Sequence, residues 1–446
     1  TRFPASIFRE YDIRGIADRE LSPDLSLRLG WVYGAMALAR FKSSHQRSRP
    51  SVSVGRDCRL SNDRLAEPLV QGLLESGVDV IDLGVCPTPL TYFSVFAREL
   101  DGGIMVTGSH NPKDYNGYKI CLGKDTLHGS QIQDLRVRIE RVEQPTAPAS
   151  EKGERNSFAV IPEYIKYVLG NSIEFMSGRG RPLKIVIDAG NGTAGPVAPE
   201  LFRKLGAEVV PLYCDPDGRF PNHHPDPTVP ENLADLVAKV KATAADFGIA
   251  FDGDSDRIGV VDEKGRIFFG DELMVVYARE ILSRKKGATI ISEVKCSGRL
   301  YEDIAAHGGN PIMWKTGHSL IKSKMKETGA ALAGEMSGHV FFSDRYFGYD
   351  DAIYAAVRFW EIVGLGSKPA SSLLIGLPPA VATPEIRVDC DEALKFKLVE
   401  RAKILLSANP ARKINAIDGV RADFGDGWGL ARASNTQQVL VLRFEA

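Results

Sequence analysis

The chain has 446 residues, of which 43% are hydrophobic and 25% charged, and its formal net charge is −1 at pH 7. This length exceeds what one hydrophobic core usually organises, so we expect three or four compact units. The composition excludes long disordered tails and fibrous repeats, and the near-neutral charge excludes a global basic field for nucleic acid or anionic lipid.

A helix is predicted to begin near the N-terminus, where Ser22 and Pro23 form an N-cap and first-turn pair. Its apolar residues recur at helical spacing on one stripe: Leu25, Leu29, Val32 and Met36. We interpret this stripe as core.

Three later stretches share one plan: an apolar strand, a polar turn, an amphipathic helix and a second apolar strand. They cover residues 52–83, 185–212 and 290–314. The pattern predicts right-handed βαβ crossovers and places the polar turns at the carboxyl ends of strands, where such sheets bind ligands. Because this crossover is common in α/β proteins, an internal repeat and a coincidence both remain open.

Two composition changes indicate boundaries. Residues 143–156 lose apolar periodicity and collect Pro, Ser and charge, as linkers do. After Pro378 and Pro379 the pattern becomes a strand at 386–388, then a helix, then a hairpin with an exposed polar turn at 433–436. That helix carries Leu394, Leu398, Ala402 and Leu405 on one face, and the whole tail predicts a small α+β domain.

The segment 102–112 is an apolar strand followed by a loop that contains Ser109. Gly108, Asn111 and Pro112 set a turn, so we expect Ser109 to be displayed at the strand end and not packed inside. Ser109 is a candidate nucleophile, although a structural Ser/Asn turn is the plain alternative. A hydrolase nucleophile elbow is disfavoured because the GxSxG pattern is absent.

Residues 247–261 are two apolar strand segments around the alternating carboxylates Asp252, Asp254 and Asp256. Three carboxylates on one loop repel each other, which a hard cation with oxygen ligands would relieve. A calcium EF-hand competes, since Glu263 lies at the twelfth position, but Arg257 occupies the required glycine position. Three protein ligands leave coordination positions of the cation open, which favours a Mg²⁺ ion that also binds a phosphate oxygen.

Further polar loops are weaker signals one by one. A carboxylate and a hydroxyl in the loop 334–340 suit adjacent sugar hydroxyls, and cationic loops near 295 and 315 suit phosphate, although ordinary surface turns are the alternative. An Asn-containing hairpin turn near the C-terminus is an equal alternative to a phosphate site. The residues concerned are Lys295, Lys315, Gly317, His318, Glu335, Ser337, His339, Arg432, Ser434, Asn435 and Thr436.

The six cysteines are scattered and include no CxxC pair. The first residues contain no apolar signal core, and no window approaches the length needed to span a bilayer. We therefore expect reduced thiols, a cytoplasmic location, and neither membrane nor nucleic-acid partners.

Taken together, the ordered loops resemble the α-D-phosphohexomutase family, most closely its bacterial phosphomannomutase/phosphoglucomutase branch. The resemblance covers nearly the whole chain and is carried by YDIRG (11–15), TGSHNP (107–112), NGYK (116–119), DGDSDR (252–257), GHSLIK (317–322), GEMSGH (334–339) and RASNT (432–436). Any one motif could arise by chance, whereas the ordered set is specific.

The resemblance implies three related α/β domains with mixed sheets around a central cleft, at 1–145, 157–266 and 267–377, and a mobile α+β domain at 380–446. It implies a monomeric enzyme that moves a phosphoryl group between two hydroxyls of a hexose phosphate through phosphoserine and a hexose 1,6-bisphosphate. Mg²⁺ would be the cofactor, and glucose 1,6-bisphosphate the activator and intermediate.

By resemblance, Ser109 is the phosphorylated serine, and its phosphate completes the metal site of Asp252, Asp254 and Asp256. Glu335 and Ser337 hold sugar hydroxyls, and Arg432, Ser434, Asn435 and Thr436 clamp the other phosphate. Lys119 and His339 are candidates for proton transfer, with Lys119 requiring a pKa lowered by nearby cations. The other expected site residues are Tyr11, Arg14, His110, Arg257, Lys295, Lys315, Gly317 and His318, with His318 also a catalytic candidate.

One departure is Ser255, where the family often has glycine; its side chain is expected to point away from the ion. Phosphoglucosamine mutase is the nearest rival, but its serine loop usually has Ala before Ser and its sugar loop has Gln at the position of Met336. A Ca²⁺-binding protein without turnover and a phosphatase using Ser109 are alternatives from other classes.

Overall fold

The structure is a computed structural model that describes residues 2–41, 47–145, 152–435 and 438–446. Its strands form four sheets among these residues. Three sheets are mixed and carry helices, and the fourth is antiparallel, which confirms the predicted fold class. In the described part of the chain, no helix combines the length and apolar character needed to cross a membrane.

The first sheet has the strand order β1-β5-β4-β2-β3-β7, with β6 paired to β5. As predicted, the hydroxyl of Ser22 accepts a hydrogen bond from the Leu25 amide at 3.1 Å and caps the first helix. The elements are β1 (Ile13–Ile16), α1 (Pro23–Arg40), β2 (Ser51–Arg56), α2 (Asn62–Glu75), β3 (Asp79–Val85), α3 (Thr88–Ala97), β4 (Gly102–Val106), β5 (Tyr115–Leu122), β6 (Asp125–Thr126), α4 (Ser130–Arg141) and β7 (Arg155–Ser157).

The end of the predicted linker is a strand. Within 143–156, residues 146–151 lie outside the described part, but β7 pairs in parallel with β3. Arg155 also forms ion pairs with Glu67 at 2.7 Å and Asp82 at 2.6 Å. Because these contacts are made by the main chain and by charged side chains, the strand has no apolar periodicity in the sequence and its composition resembles that of a linker.

The second sheet has the order β12-β11-β10-β8-β9, and the third has β14-β13-β15-β16. The second unit contains α5 (Val160–Met176), β8 (Lys184–Asp188), α6 (Ala198–Lys204), β9 (Glu208–Leu212), α7 (Ala234–Thr243), β10 (Phe247–Phe251), β11 (Ile258–Asp262) and β12 (Ile267–Phe268). The third contains α8 (Gly270–Arg284), β13 (Thr289–Glu293), α9 (Gly298–Ala306), β14 (Asn310–Trp314), α10 (His318–Thr328), β15 (Leu332–Gly334), β16 (Val340–Phe342) and α11 (Ala352–Leu365).

The three mixed sheets share one arrangement. In each, a first strand lies between two parallel neighbours, and the third strand then pairs with an antiparallel fourth. The loop that joins the third strand to the fourth therefore recurs at the same place. These loops carry Ser109 in the first sheet, the three aspartates in the second and Glu335 in the third.

The fourth sheet has the order β17-β21-β20-β19-β18 and only antiparallel pairs among the described residues. The predicted stripe on its helix is largely exposed, with Leu394 at 47% and Leu405 at 64%. The elements are β17 (Ile386–Asp389), α12 (Glu392–Ser407), β18 (Ile414–Asn415), β19 (Val420–Asp423), β20 (Trp428–Ala433) and β21 (Val439–Glu445).

One continuous core joins the second and third units and reaches α3 of the first. At this junction the rings of Phe93 and Tyr164 meet edge to face, 5.4 Å apart. The first unit has a second core, formed by α1, α2, α4 and the sheet they cover. Close-packed cores resist small displacements, so the three recurring loops are carried on a rigid frame.

Candidate active site

Ser109 lies in the loop between β4 and β5, at the strand end as predicted, but it is buried with 2% of its surface exposed. Its hydroxyl donates to Asp252 Oδ2 at 3.0 Å and lies 3.2 Å from His110 Nδ1. The expectation that Ser109 is not packed inside is wrong, because the loop of the second sheet that carries the three aspartates packs against it. Its φ of 51° is left-handed, a conformation found mostly at glycine and at functional turns.

The side chains of Arg59 and Asp57 hold this loop, and no motif in the sequence pointed to them. Arg59, with a side chain fully shielded from solvent, donates to the main-chain carbonyls of Ser109 at 2.8 Å and Asn111 at 2.6 Å. Asp57 Oδ2 accepts from the Gly108 amide at 3.1 Å and from the Thr107 hydroxyl at 2.8 Å. The only available signal was the charged turn at 56–59 after β2, which any βα turn could supply.

Asp252, Asp254 and Asp256 are completely buried in the loop between β10 and β11. Asp252 Oδ1 accepts from the amides of residues 256 and 257 at 3.0 and 3.1 Å, which fixes the curl of the loop. Thr88, also missed from sequence, donates to Asp254 Oδ2 at 2.5 Å. Burial, followed by repulsion from the other two carboxylates, raises the pKa of Asp252 well above its usual range.

Lys119 connects the first sheet to this loop. Its ammonium donates to Asp254 Oδ2 at 2.7 Å and to Asp256 Oδ2. Burial lowers the pKa of Lys119, but Asp254 and Asp256 outweigh burial, and the pKa is raised. The expectation of a lowered pKa is therefore wrong: Lys119 is held as the ammonium, the form of a general acid.

The aspartate cluster fits a divalent cation. The three carboxylates each offer an oxygen within 4.8 Å of the others, and among the described residues Asp254 Oδ1 and Asp256 Oδ1 have no hydrogen-bond partner. An all-oxygen donor set suits a hard cation. The EF-hand alternative fails because strands flank the loop and Glu263 instead accepts from the Ser371 amide at 3.1 Å.

Ser255 has a left-handed φ of 65°, the conformation that glycine adopts most easily. Its hydroxyl lies 2.9 Å from the Thr193 hydroxyl. The side chain thus has a partner in the loop after β8, apart from the cation ligands, as expected.

Arg257 and the histidines lie around the same cluster. Arg257 Nε donates to His339 Nε2 at 3.0 Å, and His339 Nδ1 lies 3.7 Å from Asp256 Oδ1. The rings of His318 and His339 are stacked 5.6 Å apart. Burial, then the neighbouring cations, lower the pKa of His110 and of His318 well below its usual range, so both rings are neutral. Arg14 forms an ion pair with Asp12 at the start of the first sheet.

The loop between β15 and β16 presents Glu335, which is buried, and Ser337, which is partly exposed. Glu335 Oε1 accepts from the Gly317 amide at 2.7 Å. Gly317 packs against the Tyr11 ring, since a Cβ at this position would lie 2.3 Å from that ring. Tyr11 donates to the Thr316 carbonyl at 2.6 Å, so residues from the first and third sheets meet here.

The C-terminal hairpin reaches the same place. Asp418 accepts from Arg432 Nε at 3.2 Å and from the Thr316 amide at 2.9 Å, and Asn435 donates to Tyr11 at 3.4 Å. The turn is not wholly exposed, since Arg432 and Ser434 are buried. Thr436 lies outside the described residues.

The two lysines assigned to the loops of the third sheet differ in their exposure to solvent. Lys295 is buried and donates to Glu385 of the C-terminal unit at 3.0 Å. Lys315 is exposed beside the loop that contains Thr316 and Gly317.

Four domain families of phosphoglucomutase/phosphomannomutase match the chain in order: alpha/beta/alpha domain I at residues 5–145, domain II at 162–265, domain III at 269–381 and the C-terminal domain at 385–446. The chain belongs to the phosphoglucomutase/phosphomannomutase family. The serine loop, the aspartate loop, the Glu335 loop and the hairpin fall in these four domains in turn.

Relatives match over almost the full chain. The phosphomannomutase/phosphoglucomutase of Pseudomonas aeruginosa is 48% identical over 99% of this chain and 92% of its own length. The phosphoglucomutase of Neisseria gonorrhoeae is 43% identical over 99% and 93%. A crystal structure of a family protein from Burkholderia thailandensis superposes with a TM-score of 0.89 at 45% identity, covering 100% of this chain and 94% of that one.

Proposed function

We propose that this protein is a phosphohexomutase that interconverts the 1-phosphate and 6-phosphate of glucose and mannose through phospho-Ser109. The observation that carries the proposal is the 3.0 Å contact between the Ser109 hydroxyl and Asp252, a residue from another sheet. A hydroxyl, three carboxylates and a lysine in one buried cluster suit phosphoryl transfer, which depends on positioning and charge stabilisation.

In the first step, the free hydroxyl of a hexose 1-phosphate attacks the phosphorus of phospho-Ser109. The bond between phosphorus and serine oxygen breaks, and a hexose 1,6-bisphosphate forms. The bisphosphate then reverses its orientation in the site, and Ser109 takes back the other phosphate, which releases hexose 6-phosphate. Both steps use the same serine, so the protein returns to its starting state.

The cluster of Asp252, Asp254 and Asp256 would hold Mg²⁺, with a phosphate oxygen on Ser109 completing the site. When bound, Mg²⁺ neutralises the charge that develops on the transferring phosphoryl group. Lys119 supplies a proton to the departing serine oxygen, and the resulting neutral amine takes the proton that the attacking hydroxyl loses, which restores the ammonium; the reverse direction uses the same transfers. Arg59 and Asp57 keep the serine loop in place throughout.

The reorientation of the bound bisphosphate requires a binding site that accepts the sugar in two orientations. Glu335 and Ser337 would hold sugar hydroxyls, while Arg432, Ser434, Asn435 and Thr436, together with Lys295 and Lys315, would hold the phosphate that is not transferred. Tyr11, Arg14, His110, Arg257, Gly317, His318 and His339 would line the space between these groups. The contacts of Tyr11 with Thr316 and Asn435 join the first, third and C-terminal units, and the contact of Ser109 with Asp252 adds the second, which supports a common site.

Glucose and mannose phosphates are preferred over glucosamine phosphate. The relatives named above act, by their names, on glucose and mannose phosphates, and Met336 stands where the glucosamine enzymes have glutamine. Glucose 1,6-bisphosphate would serve as activator by phosphorylating Ser109. All six cysteines are free, which supports a cytoplasmic location. We also propose that the enzyme acts as a monomer.

The test is Ser109→Ala, assayed for conversion of glucose 1-phosphate and mannose 1-phosphate with Mg²⁺ and catalytic glucose 1,6-bisphosphate. Turnover should be abolished while substrate affinity stays near that of the wild type, because the variant loses the phosphate carrier and keeps the binding groups. Ser172→Ala is the matched control: Ser172 is a buried serine on α5 with no hydrogen-bond partner for its hydroxyl among the described residues.

Intact mass should show one added phosphate on a fraction of the wild-type protein and none on Ser109→Ala. Retained turnover in Ser109→Ala would exclude the serine assignment. Release of free phosphate in place of isomerisation would indicate a phosphatase, and metal binding without any turnover would indicate a binding protein.

A further inference from the structure

Asp350 is a buried carboxylate that none of the sequence motifs included. It follows the turn after β16, pairs with Phe341 across an antiparallel bridge, and has no exposed surface. His339 Nδ1 lies 3.1 Å from Asp350 Oδ2, and His318 Nδ1 lies 3.9 Å from the same oxygen. Asp350 therefore touches both histidines that the motifs offered for proton transfer.

The two ring nitrogens of His339 have different neighbours. Arg257 Nε donates to Nε2 at 3.0 Å, and a guanidinium can only donate hydrogen bonds, so Nε2 is the acceptor. In a neutral imidazole the proton must then be on Nδ1. The Asp350 carboxylate, which can only accept, lies 3.1 Å from Nδ1 without meeting hydrogen-bond geometry, and neither atom has a hydrogen-bond partner among the described residues. The Arg257 contact defines the tautomer, and Asp350 is the carboxylate nearer to its proton, since Asp256 lies 3.7 Å away.

We propose that Asp350 is a positioning residue that holds His339 in the Nδ1–H tautomer, with the Nε2 lone pair directed to Arg257 and the phosphosugar. This inference rests on the proposed function. A carboxylate behind a histidine commonly fixes both the ring orientation and the tautomer, and removing it costs about 10- to 100-fold in affinity or activity at metal sites.

A cation could also lie among Asp256, His339 and Asp350, whose ligand atoms are within 4.8 Å of each other. Both carboxylates already have a lysine neighbour. Lys322 Nζ lies 3.1 Å from Asp350 Oδ1, and Lys119 donates to Asp256. With this positive charge in place, a proton on Nδ1 satisfies the group better than a second metal ion.

The next residue provides the control. Asp351 is equally buried, but it accepts from the Tyr354 amide at 2.8 Å, which caps α11, and from the hydroxyls of Tyr164 and Tyr346. The two neighbouring carboxylates thus have separate partners. Asp351→Asn tests the loss of a buried charge without touching His339.

The experiment compares the wild type, Asp350→Asn, Asp351→Asn and His339→Gln by the ¹⁵N NMR spectrum of protein labelled at histidine. The His339 signals are identified by their loss in His339→Gln. The wild type should show the Nδ1–H tautomer, and Asp350→Asn should lose it, whereas Asp351→Asn should retain it. A wild-type Nε2–H signal from His339 would overturn the proposal even if Asp350→Asn does not fold.

Turnover of hexose 1-phosphate gives the second readout. Asp350→Asn should lower kcat about 10- to 100-fold with KM changed by less than about twofold, and it should have little further effect in a His339→Gln background. An equal loss in both backgrounds or an unchanged tautomer in Asp350→Asn would each reject it. Absence of turnover in the wild type would reject the proposed function and leave the tautomer result intact.

Discussion

The aspartate cluster around Ser109 and the C-terminal hairpin around Arg432 each combine charged and hydroxyl side chains but are supported differently. Asp252, Asp254 and Asp256 have no exposed surface, and their loop joins strands of a sheet that is part of the largest core. The hairpin belongs to a separate sheet whose helix α12 leaves Leu394 and Leu405 exposed. The first region belongs to a large core, whereas the second is held by a small apolar cluster and polar contacts.

The contacts between the C-terminal unit and the third unit combine a small apolar cluster, in which Trp428 and Leu430 pack against Val294, with several polar contacts. Arg421 donates to the carbonyls of Val294 and Cys296 at 2.6 and 2.7 Å, and Glu445 accepts from the Ser297 hydroxyl at 2.9 Å. Polar contacts between domains resemble transient interfaces, which permit relative motion. We therefore propose that the aspartate cluster carries out phosphoryl transfer and that the C-terminal unit, with its smaller apolar interface, captures substrate by opening and closing.

The strongest test of this comparison replaces one buried lysine in each region. Lys119→Met should lower kcat about 10²- to 10⁴-fold, because it removes a positioned proton donor and leaves Asp254 and Asp256 without their ammonium partner. Lys395, also buried, donates to the Ser434 carbonyl at 2.6 Å, and Lys395→Met should change KM more than kcat. Steady-state kinetics with glucose 1-phosphate measure both, and equal losses of kcat would contradict the comparison.

A smaller effect is expected for Arg432→Ala. Charge-assisted hydrogen bonds contribute about 1.5–3 kcal/mol, so losing the contacts to the phosphate that is not transferred should raise KM about 10- to 100-fold. The kcat should change by less than about threefold, because these contacts are made equally before and during the reaction. Arg401→Ala, at an exposed arginine on α12, is the control, and a kcat loss as large as that of Lys119→Met would place Arg432 in the transfer step instead.

The smallest effect is expected at the contact between Lys295 and Glu385. Lys295 lowers the pKa of Glu385 from 4.5 to about 2. A depressed carboxyl pKa stabilises the fold above pH 4.5, and this stabilisation is lost as the pH falls towards 2. Glu385→Gln should lower the free energy of unfolding by about 1 kcal/mol at pH 7 and by progressively less below pH 4.5.

Urea unfolding of both proteins between pH 3 and 7 measures this difference. Asp389→Asn, at an exposed carboxylate on the same strand β17, should leave the stability unchanged at every pH. If the loss of unfolding free energy in Glu385→Gln grows as the pH falls, the sign of the linkage is wrong.

Local sequence patterns predicted the elements that depend on local rules. The cap at Ser22, the three strand-helix-strand units and the hairpin of β20 and β21 all follow from short-range signals. The alternating aspartates predicted a cation site because their repulsion is a property of the loop itself. Arg59, Thr88 and Asp350 gave no such signal, since each acts on a residue at least 50 positions away or across a turn.

The amino-acid sequence by itself determined the candidate side chains for the chemistry and the order in which they occur, because motif composition and strand periodicity are local properties. The tertiary structure alone decided that Ser109 is buried against Asp252, that Lys119 stays protonated between two carboxylates, and that Asp350 lies behind His339. Burial, hydrogen-bond partners and pKa depend on which distant segments meet, and only the packing of the four units brings those segments together.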